Sequence, residues 1–103
     1  MNNYDLNTIY FTIGRNAKRI YDSIPEKQYK NNISKIEYYA NEIDRSVGFL
    51  YHLFSGKQTG QQPSFETILR ICNAFEIKIE ELLEPLSDEE YEDFFKSKLQ
   101  QKD

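Results

Sequence analysis

The feature that most constrains the fold is a very short connection between two helical patterns. One pattern of apolar residues ends at Ile43 and the next begins at Ser46, within a longer helical stretch at 33–83. So short a connection leaves room only for a sharp corner, and a helix joined this tightly is held rigidly by its predecessor. The sequence therefore predicts two helices that cross steeply around residues 43–46.

The helix before the corner has a clear start signal. Ser34 and Glu37 have the spacing of a capping box, and Ile33 and Tyr38 flank it as a hydrophobic staple. The apolar residues that follow share one face at helical spacing: Ile36, Ala40 and Ile43. These signals predict a helix that begins after Ser34 and buries this face.

The helix after the corner is equally well marked. Ser46 is a favourable N-cap residue, and Gly56 stands where a left-handed C-terminal cap belongs. The side predicted to be buried, against Ala40 and Ile36, consists of apolar residues at helical spacing: Leu50 and Leu53, flanked by Phe49 or Phe54. The opposite side of this helix is predicted to face solvent.

A first helix is predicted ahead of this pair, over about residues 6–24, and Pro25 stops it. Gly14 within it costs about 1 kcal/mol of helix propensity, so we expect a close helix crossing at that position. The polar segment 25–32 is predicted to be a connection to the next helix.

Three more helices are predicted after the pair. A polar connection, 57–62, leads to a fourth helix that starts at Pro63-Ser64 and carries Cys72 on its apolar side as a packed, inert thiol. A short fifth helix ends near residue 85, and Ser87 with Glu90 forms a second capping box for the last helix. Every predicted element is helical.

Composition excludes several classes of protein. The chain of 103 residues suits one domain, and it has no run of about eighteen apolar residues that would span a membrane. Its first residues have no basic segment of the kind that begins a signal peptide. A single cysteine cannot form an intramolecular disulfide, which indicates a reducing, cytoplasmic location. With one histidine and scattered glycines as well, we expect no metal, no cofactor and no enzymatic activity.

The net charge of −4 is unevenly distributed along the chain. Residues 13–63 hold eight basic and five acidic side chains, whereas residues 64–103 hold five basic and eleven acidic ones. The half that contains the helical corner is thus positive by +3 and the C-terminal part is negative by −6. This polarity favours an approach of the positive half to phosphate, although the field is weak for a nucleic-acid binder.

The stretch from Ile13 to Leu83 resembles the Cro/phage-repressor (Xre-like) helix-turn-helix family. The matching positions are Ile13-Gly14, Ala40, Ile43, Ser46, Leu50, Leu53, Gly56, Pro63-Ser64, Thr67 and the closing Ile77-x-x-Glu80-x-Leu82. The resemblance implies an all-α fold of five to six helices. It also implies a DNA-binding domain at 1–85, with the helix-turn-helix proper at about 34–56, and an extra C-terminal helix and tail at 86–103.

In the family, the start and the outward face of the helix after the corner contact bases. Carried over to this sequence, those positions are Ser46, Val47, Gly48, Tyr51 and His52. Histidine can hydrogen-bond a guanine edge, valine can pack on a thymine methyl, and tyrosine can do either or reach a phosphate. A glycine lets the helix backbone approach the groove. The alternative is that Val47 and Gly48 reflect a degenerate motif with a poor base-reading face. The face also departs from the family in lacking the Gln, Arg and Asn residues that make bidentate base contacts.

Phosphate contacts are expected near the helix ends, where charge and donors suffice. The residues implied are Lys35, Arg45, Ser55, Lys57, Arg15 and Arg19. Lys35 substitutes for a family glutamine, while Ile36 is the strictly aligned position. Asp44 and Arg45 replace the usual glycine and aliphatic residue of the turn, and aspartate tolerates the left-handed backbone that the turn needs. The alternative for each basic residue is an ordinary solvated side chain.

The apolar stripe of the last helix either covers the core or forms a dimer surface. Its members are Tyr91, Phe94, Phe95 and Leu99. The resemblance implies a homodimer that covers two half-sites of a palindromic double-stranded operator and represses transcription by occupancy. The alternative is a protein-interaction module, of antitoxin or anti-defence type, on a helix-turn-helix scaffold that no longer binds DNA. Its support is the aromatic character of the helix after the corner and the acidic total.

Overall fold

The computed structural model describes residues 6–56 and 62–100, with side chains described up to residue 96. Six α-helices follow one another in this part of the chain. They are α1 at Leu6–Ser23, α2 at Lys35–Ile43, α3 at Val47–Ser55, α4 at Phe65–Phe75, α5 at Ile79–Leu82 and α6 at Asp88–Gln100. A short 3-10 helix, Lys30–Asn32, lies between α1 and α2. The predicted all-α fold is confirmed, and the described residues contain no strand.

Side-chain caps begin the central helices at the residues predicted from sequence. The Ser34 and Glu37 side chains form the reciprocal capping box of α2. The hydroxyls of Ser46 and Ser64 accept hydrogen bonds from the third residue of α3 and of α4. Gly56 ends α3 in the left-handed conformation with φ of 72°. These boundaries are set locally. Each serine cap satisfies a backbone donor that the helix itself leaves unpaired, and the Gly56 N–H donates to the carbonyl oxygen of Leu53.

The main core lies between α1, α2, α3, α4 and α5. Its fully buried side chains include Ile43, Leu50, Ile71 and Leu82. Helix α1 runs through the middle, packing against α3, α4 and α5, while α2 packs against α3 and α4. Leu53 and Ala40 are buried, and Ile36 is half-buried at the edge of the same cluster. The predicted burial of the inner side of α3 is thus confirmed.

The connection between α1 and α2 is more ordered than its polar composition predicts. Tyr29 is buried, and its ring stacks on that of Tyr38 at a centroid distance of 4.5 Å. Tyr38 in turn contacts Tyr39 edge to face, and Tyr39 meets Phe75 of α4 in the same way. An aromatic cluster therefore anchors the segment 25–32, which also contains the 3-10 turn.

Helix α6 covers α1 through a second, smaller cluster. Phe94 is buried and stacks on Phe11 of α1, with ring centroids 4.3 Å apart, and Leu86 completes the cluster. Among the described residues, α6 contacts α1 through side chains only, whereas the backbones of α1 and α3 lie close together. No helix in the described part is long and apolar enough to cross a membrane.

Candidate nucleic-acid interface

The position of α3 is fixed by direct contact with the backbone of α1. Gly14 lies against the carbonyl group of Leu53, and a methyl group at position 14 would overlap that oxygen. At the end of α3, a Cβ atom on Gly56 would lie 2.6 Å from a ring carbon of Phe11. The close crossing predicted at Gly14 is confirmed, and it leaves α3 no room to move toward α1.

The outward side of α3 is exposed, as predicted from its period. Gly48, Tyr51, His52 and Ser55 all face solvent, and Tyr51 keeps 58% of its accessible surface. Ser46, just before the helix, is exposed as well, and its Oγ accepts a hydrogen bond from the Phe49 N–H at 3.0 Å. The exposed residues of α3 are spaced three and four positions apart, so they lie on one side of a rigidly held helix.

Val47 departs from the expectation that it points away from the core. It is half-buried and packs at the edge of the main cluster. Side chains in a helix lean toward its N-terminus, so the first residue of α3 leans back over the corner instead of outward. Phe54 is buried and Phe49 half-buried, so most of the aromatic surface of α3 belongs to the core.

The corner itself is tied to α4. Asp44 adopts the left-handed conformation with φ of 62°, as predicted for a residue in the place of a glycine. Its carboxylate lies 3.5 Å from the Arg70 guanidinium, and that guanidinium also pairs with Glu66 at 3.0 Å. The hydrogen bond and charge of Glu66 raise the pKa of Arg70. Sequence reasoning gave Arg70 no role, although its i,i+4 spacing from Glu66 is the signal that predicts their pairing.

Arg45 lies across the junction of α3 and α4. Its guanidinium carbon is 5.0 Å from the centroid of the Phe49 ring, and Nη2 donates to the Thr67 hydroxyl at 3.2 Å. The side chain is nonetheless exposed at the surface that carries the corner. A cation held in this way over an aromatic face remains compatible with a nearby phosphate, because guanidinium has five donors.

Lys35 is placed differently from the sequence-based expectation of a phosphate contact. The residue is buried, and its Nζ donates to the carbonyl oxygens of Tyr21, at 2.8 Å, and of Ile24. Nζ also lies 4.3 Å from the centroid of the Tyr21 ring. Lysine at the C-terminal end of a helix is favourable because it satisfies carbonyls that lack partners. Lys35 therefore joins α2 to the end of α1, and we do not count it among the phosphate contacts.

The burial of Tyr21 beside this lysine changes its acidity. Desolvation is the largest cause, with Glu26 adding to it, and together they raise the pKa of Tyr21 to about 12. Tyr39 has its pKa raised for the same first reason, and burial likewise raises the pKa of the Cys72 thiol. These groups remain neutral near pH 7, which suits packing residues behind the exposed surface.

The two arginines of α1 are not alike. Nη1 of Arg15 donates to the carbonyl oxygen of Phe54 at 3.3 Å, and Nε lies 3.7 Å from the carboxylate of Glu90. Arg15 thus bridges the end of α3 and the first turn of α6. Arg19 is exposed one turn further along α1. Of the two, Arg19 is the better candidate for phosphate.

Of the two further expected contacts, Ser55 lies at the end of α3. The Ser55 hydroxyl is exposed and donates to the carbonyl oxygen of His52 at 2.8 Å. Lys57 lies outside the described residues. The described residues also contain no group of three His, Cys, Asp or Glu side chains that could hold a metal ion.

The aromatic stripe of α6 is used largely within the chain. Phe94 is buried against Phe11, and the Tyr91 hydroxyl is hydrogen-bonded to the Thr12 hydroxyl and to the Leu86 N–H. Phe95 is half-buried, and the side chain at residue 99 lies outside the described ones. Of the two interpretations drawn from sequence, covering the core is the one that applies to Phe94 and to the hydroxyl of Tyr91.

The sequence pattern of the Cro/C1-type helix-turn-helix DNA-binding domain matches residues 30–88. The match includes the corner, the whole of α2 to α5 and the exposed surface of α3. It covers more than half of the chain. No relative among the curated proteins and no similar solved structure matches the sequence.

Proposed function

The chain belongs to the Cro/C1-type helix-turn-helix DNA-binding domains, and from that premise we propose that it is a sequence-specific transcriptional regulator that inserts α3 into a major groove. The observation that carries the proposal is the contrast between the two sides of α3. One side is fixed to the backbone of α1 at Gly14, and the other presents Tyr51 and His52 to solvent. A rigid helix with an exposed outer side is the arrangement that major-groove recognition needs.

We propose base contacts for the exposed residues at the start and on the outer side of α3. They are Ser46, Gly48, Tyr51 and His52, with Val47 restricted to an apolar contact at the edge of the groove. His52 can donate to or accept from a guanine edge, and Gly48 lets the backbone come close. Because the surface has no Arg, Gln or Asn, we expect modest discrimination between bases.

The proposed phosphate contacts surround this surface. Arg45 stands at the corner, Ser55 at the end of α3 and Arg19 on α1, and Lys57, outside the described residues, follows Gly56 in the sequence. Arg15 is a weaker candidate because its guanidinium already contacts Phe54 and Glu90. Such contacts orient the protein on the duplex without selecting its sequence.

We further propose that two copies occupy the half-sites of a palindromic operator and repress transcription by occupancy in the cytoplasm. Helix α6 is poorly suited to hold the two copies together, because Phe94 is buried and the first turns of the helix are acidic. Pairing is therefore proposed to be directed mainly by the spacing of half-sites on DNA. Light scattering with and without a palindromic duplex tests this.

The test of DNA recognition uses His52→Ala. A preferred duplex is first selected from a randomised pool with the parent protein, and its affinity is compared with that of a random duplex. We expect the substitution to weaken binding to the selected duplex by about 1–3 kcal/mol and to leave random DNA nearly unaffected, because non-specific binding is mostly phosphate electrostatics. Asn73→Ala, an exposed polar residue of α4, is the matched control and should change neither affinity.

Equal weakening on both duplexes would move His52 to the phosphate contacts. A parent protein that binds no duplex at low salt would instead support the protein-interaction module. For that alternative, the aromatic side chains of α3 that remain exposed are Tyr51 and His52, since Phe54 is buried and Phe49 half-buried.

A further inference from the structure

An apolar groove with a volume of about 800 Å³ runs between α1 and the segment that leads into α6. Its floor is formed by apolar side chains: Ile9, Leu83, Pro85, Leu86 and Phe95. Leu83 keeps 46% of its accessible surface there, which makes it one of the most exposed large apolar residues of the described chain. The groove is separate from the outer side of α3, none of whose residues line it.

Two hydroxyls that line the groove, those of Thr12 and Tyr91, are hydrogen-bonded to each other. The Thr12 hydroxyl donates to the Thr8 carbonyl, the Tyr91 hydroxyl donates to Thr12, and the Leu86 N–H donates to Tyr91. In this series of hydrogen bonds, the Thr12 and Tyr91 hydroxyls each donate one hydrogen bond and accept one. These two hydroxyls therefore do not require a polar ligand, and the apolar side chains of the floor favour an apolar occupant.

The rim of the groove is acidic. Asp88 and Glu92 line it, four residues apart on α6, and no lysine, arginine or histidine lies among its described lining residues. Five of the first six residues of α6 are acidic, apart from Tyr91. Any molecule that binds its apolar surface in this groove therefore lies next to the negative charges of α6.

This charge argues against a second copy of the chain as the occupant. A two-fold contact places the same surface on both sides, so pairing through the groove would bring two acidic α6 helices together. Like charges at an interface are destabilising and suppress the wrong partner. Charge complementarity instead favours a partner with basic residues beside its apolar ones.

We infer that this groove is a docking site for a basic amphipathic helix of a protein partner. The α6 residues that line it, from 88 to 95, span about 10 Å, so two turns of a docked helix fit along them. Such a helix places apolar side chains at i, i+3 or i+4, and i+7 on the floor. Lysine or arginine residues beside them then face Asp88 and Glu92. Docking does not require DNA binding, so either property can fail without the other.

The test uses the full chain and a fluorescently labelled synthetic peptide as the probe. The peptide is an alanine-based helix with leucines at i, i+4 and i+7 and lysines flanking them, and its binding is followed by anisotropy at low and at physiological salt. We expect saturable binding that weakens as salt rises, since rim charges add a screened attraction. The same peptide with glutamates in place of lysines should bind at least tenfold more weakly.

Two pairs of matched variants locate the site. Glu92→Lys, on the groove, should weaken peptide binding about fivefold, whereas Asp93→Lys, the next and exposed acid of α6, should change it less than twofold. Leu83→Ser should also weaken binding about fivefold, whereas Leu69→Ser, equally exposed on α4, should not. Far-ultraviolet circular dichroism and thermal unfolding report whether each variant is folded.

The inference is overturned if Asp93→Lys and Glu92→Lys weaken binding equally, because the attraction would then be unspecific. Absence of peptide binding at low salt would also overturn it. A free chain that dimerises in solution, with the dimer lost in Leu83→Ser and kept in Leu69→Ser, would make a second copy the occupant and overturn it as well.

Discussion

Helices α3 and α6 both pack against α1, yet the two contacts are built differently. Helix α3 meets α1 backbone to backbone, at Gly14 and the carbonyl group of Leu53. Helix α6 meets it through side chains, chiefly the stacked rings of Phe94 and Phe11. A backbone contact has no rotamers to adjust, whereas a ring stack can repack. The comparison indicates that the fold fixes the helix proposed to bind DNA and leaves the helix beside the groove more adaptable.

Gly14→Ala should have the largest effect, because it attacks the backbone contact. The new methyl group overlaps the Leu53 carbonyl oxygen, so α1 and α3 must separate. We expect a loss of about 3 kcal/mol in the free energy of unfolding, well beyond the gain of about 1 kcal/mol in helix propensity. Urea unfolding followed by circular dichroism measures it.

Gly48→Ala is the control for this variant. A Cβ atom at that position meets nothing closer than the Ser46 hydroxyl oxygen, 3.8 Å away. The same chemical change should therefore stabilise the protein by up to about 1 kcal/mol. If both glycine variants lose stability equally, the contact between α1 and α3 is not the cause and the comparison fails.

Phe94→Ala should cost less and act locally. It removes a buried ring from the small cluster, and we expect a loss of about 2 kcal/mol, below the usual range for a large central core. Hydrogen exchange should accelerate for the amides of α6 while those of α2 and α3 keep their protection, since regions with few buried contacts open separately. Equal acceleration in α3 would show that the two helices unfold together and would contradict the proposed difference.

Tyr91→Phe should have a smaller effect on the same side of α1. The substitution keeps the ring and removes the hydroxyl that joins Thr12 and the Leu86 N–H. We expect a loss of about 1 kcal/mol, as for a typical hydrogen bond. Thermal unfolding measures it, and an unchanged midpoint would mean that water replaces the hydroxyl at the groove.

The smallest expected effect is a pH dependence at the start of α2. The Ser34 hydroxyl, and then its backbone N–H, lower the pKa of Glu37 below the ordinary value of 4.5. A lowered carboxyl pKa in the folded state contributes stability that is present above the ordinary value and lost as pH falls through the lowered one. Unfolding of the parent and of Glu37→Gln should therefore converge in acid. Ser34→Ala should remove the same pH-dependent part, and an unaltered curve in Ser34→Ala would exclude the capping box as its source.

The parts of the fold predictable from sequence are those with local signals. The caps at Ser34, Ser46 and Gly56 and the inner face of α3 depend on residues a few positions apart, which composition and period reveal. The burial of Lys35 and Tyr29 depends instead on how α1 ends beside α2, and no spacing in the sequence encodes that distance. A single tyrosine within the polar segment 25–32 is the only signal that could have indicated its anchoring.

The candidate surface divides in the same way. The exposure of Tyr51 and His52 follows from the helical period once Leu50 and Leu53 face inward. Arg15 contacts Phe54 and Glu90, which are far from it in the sequence. The sequence showed only its positive charge, and that charge led to the prediction of a phosphate contact. Likewise, nothing in the sequence indicated that Phe94 of α6 stacks on Phe11 of the same chain, which was needed to judge the prediction of a dimer surface.

Arg15 connects two surfaces for which different partners are proposed. Its guanidinium contacts the last turn of α3 on one side and Glu90 of α6 on the other. A helix docked in the groove that shifts α6 also shifts Glu90, the partner of this arginine, and so alters a contact at the end of α3, the helix proposed to bind DNA. If docking changes the affinity for the operator, a single coupling free energy links the two binding equilibria. Operator DNA would then change the affinity for the docked helix by the same factor by which the docked helix changes the affinity for the operator.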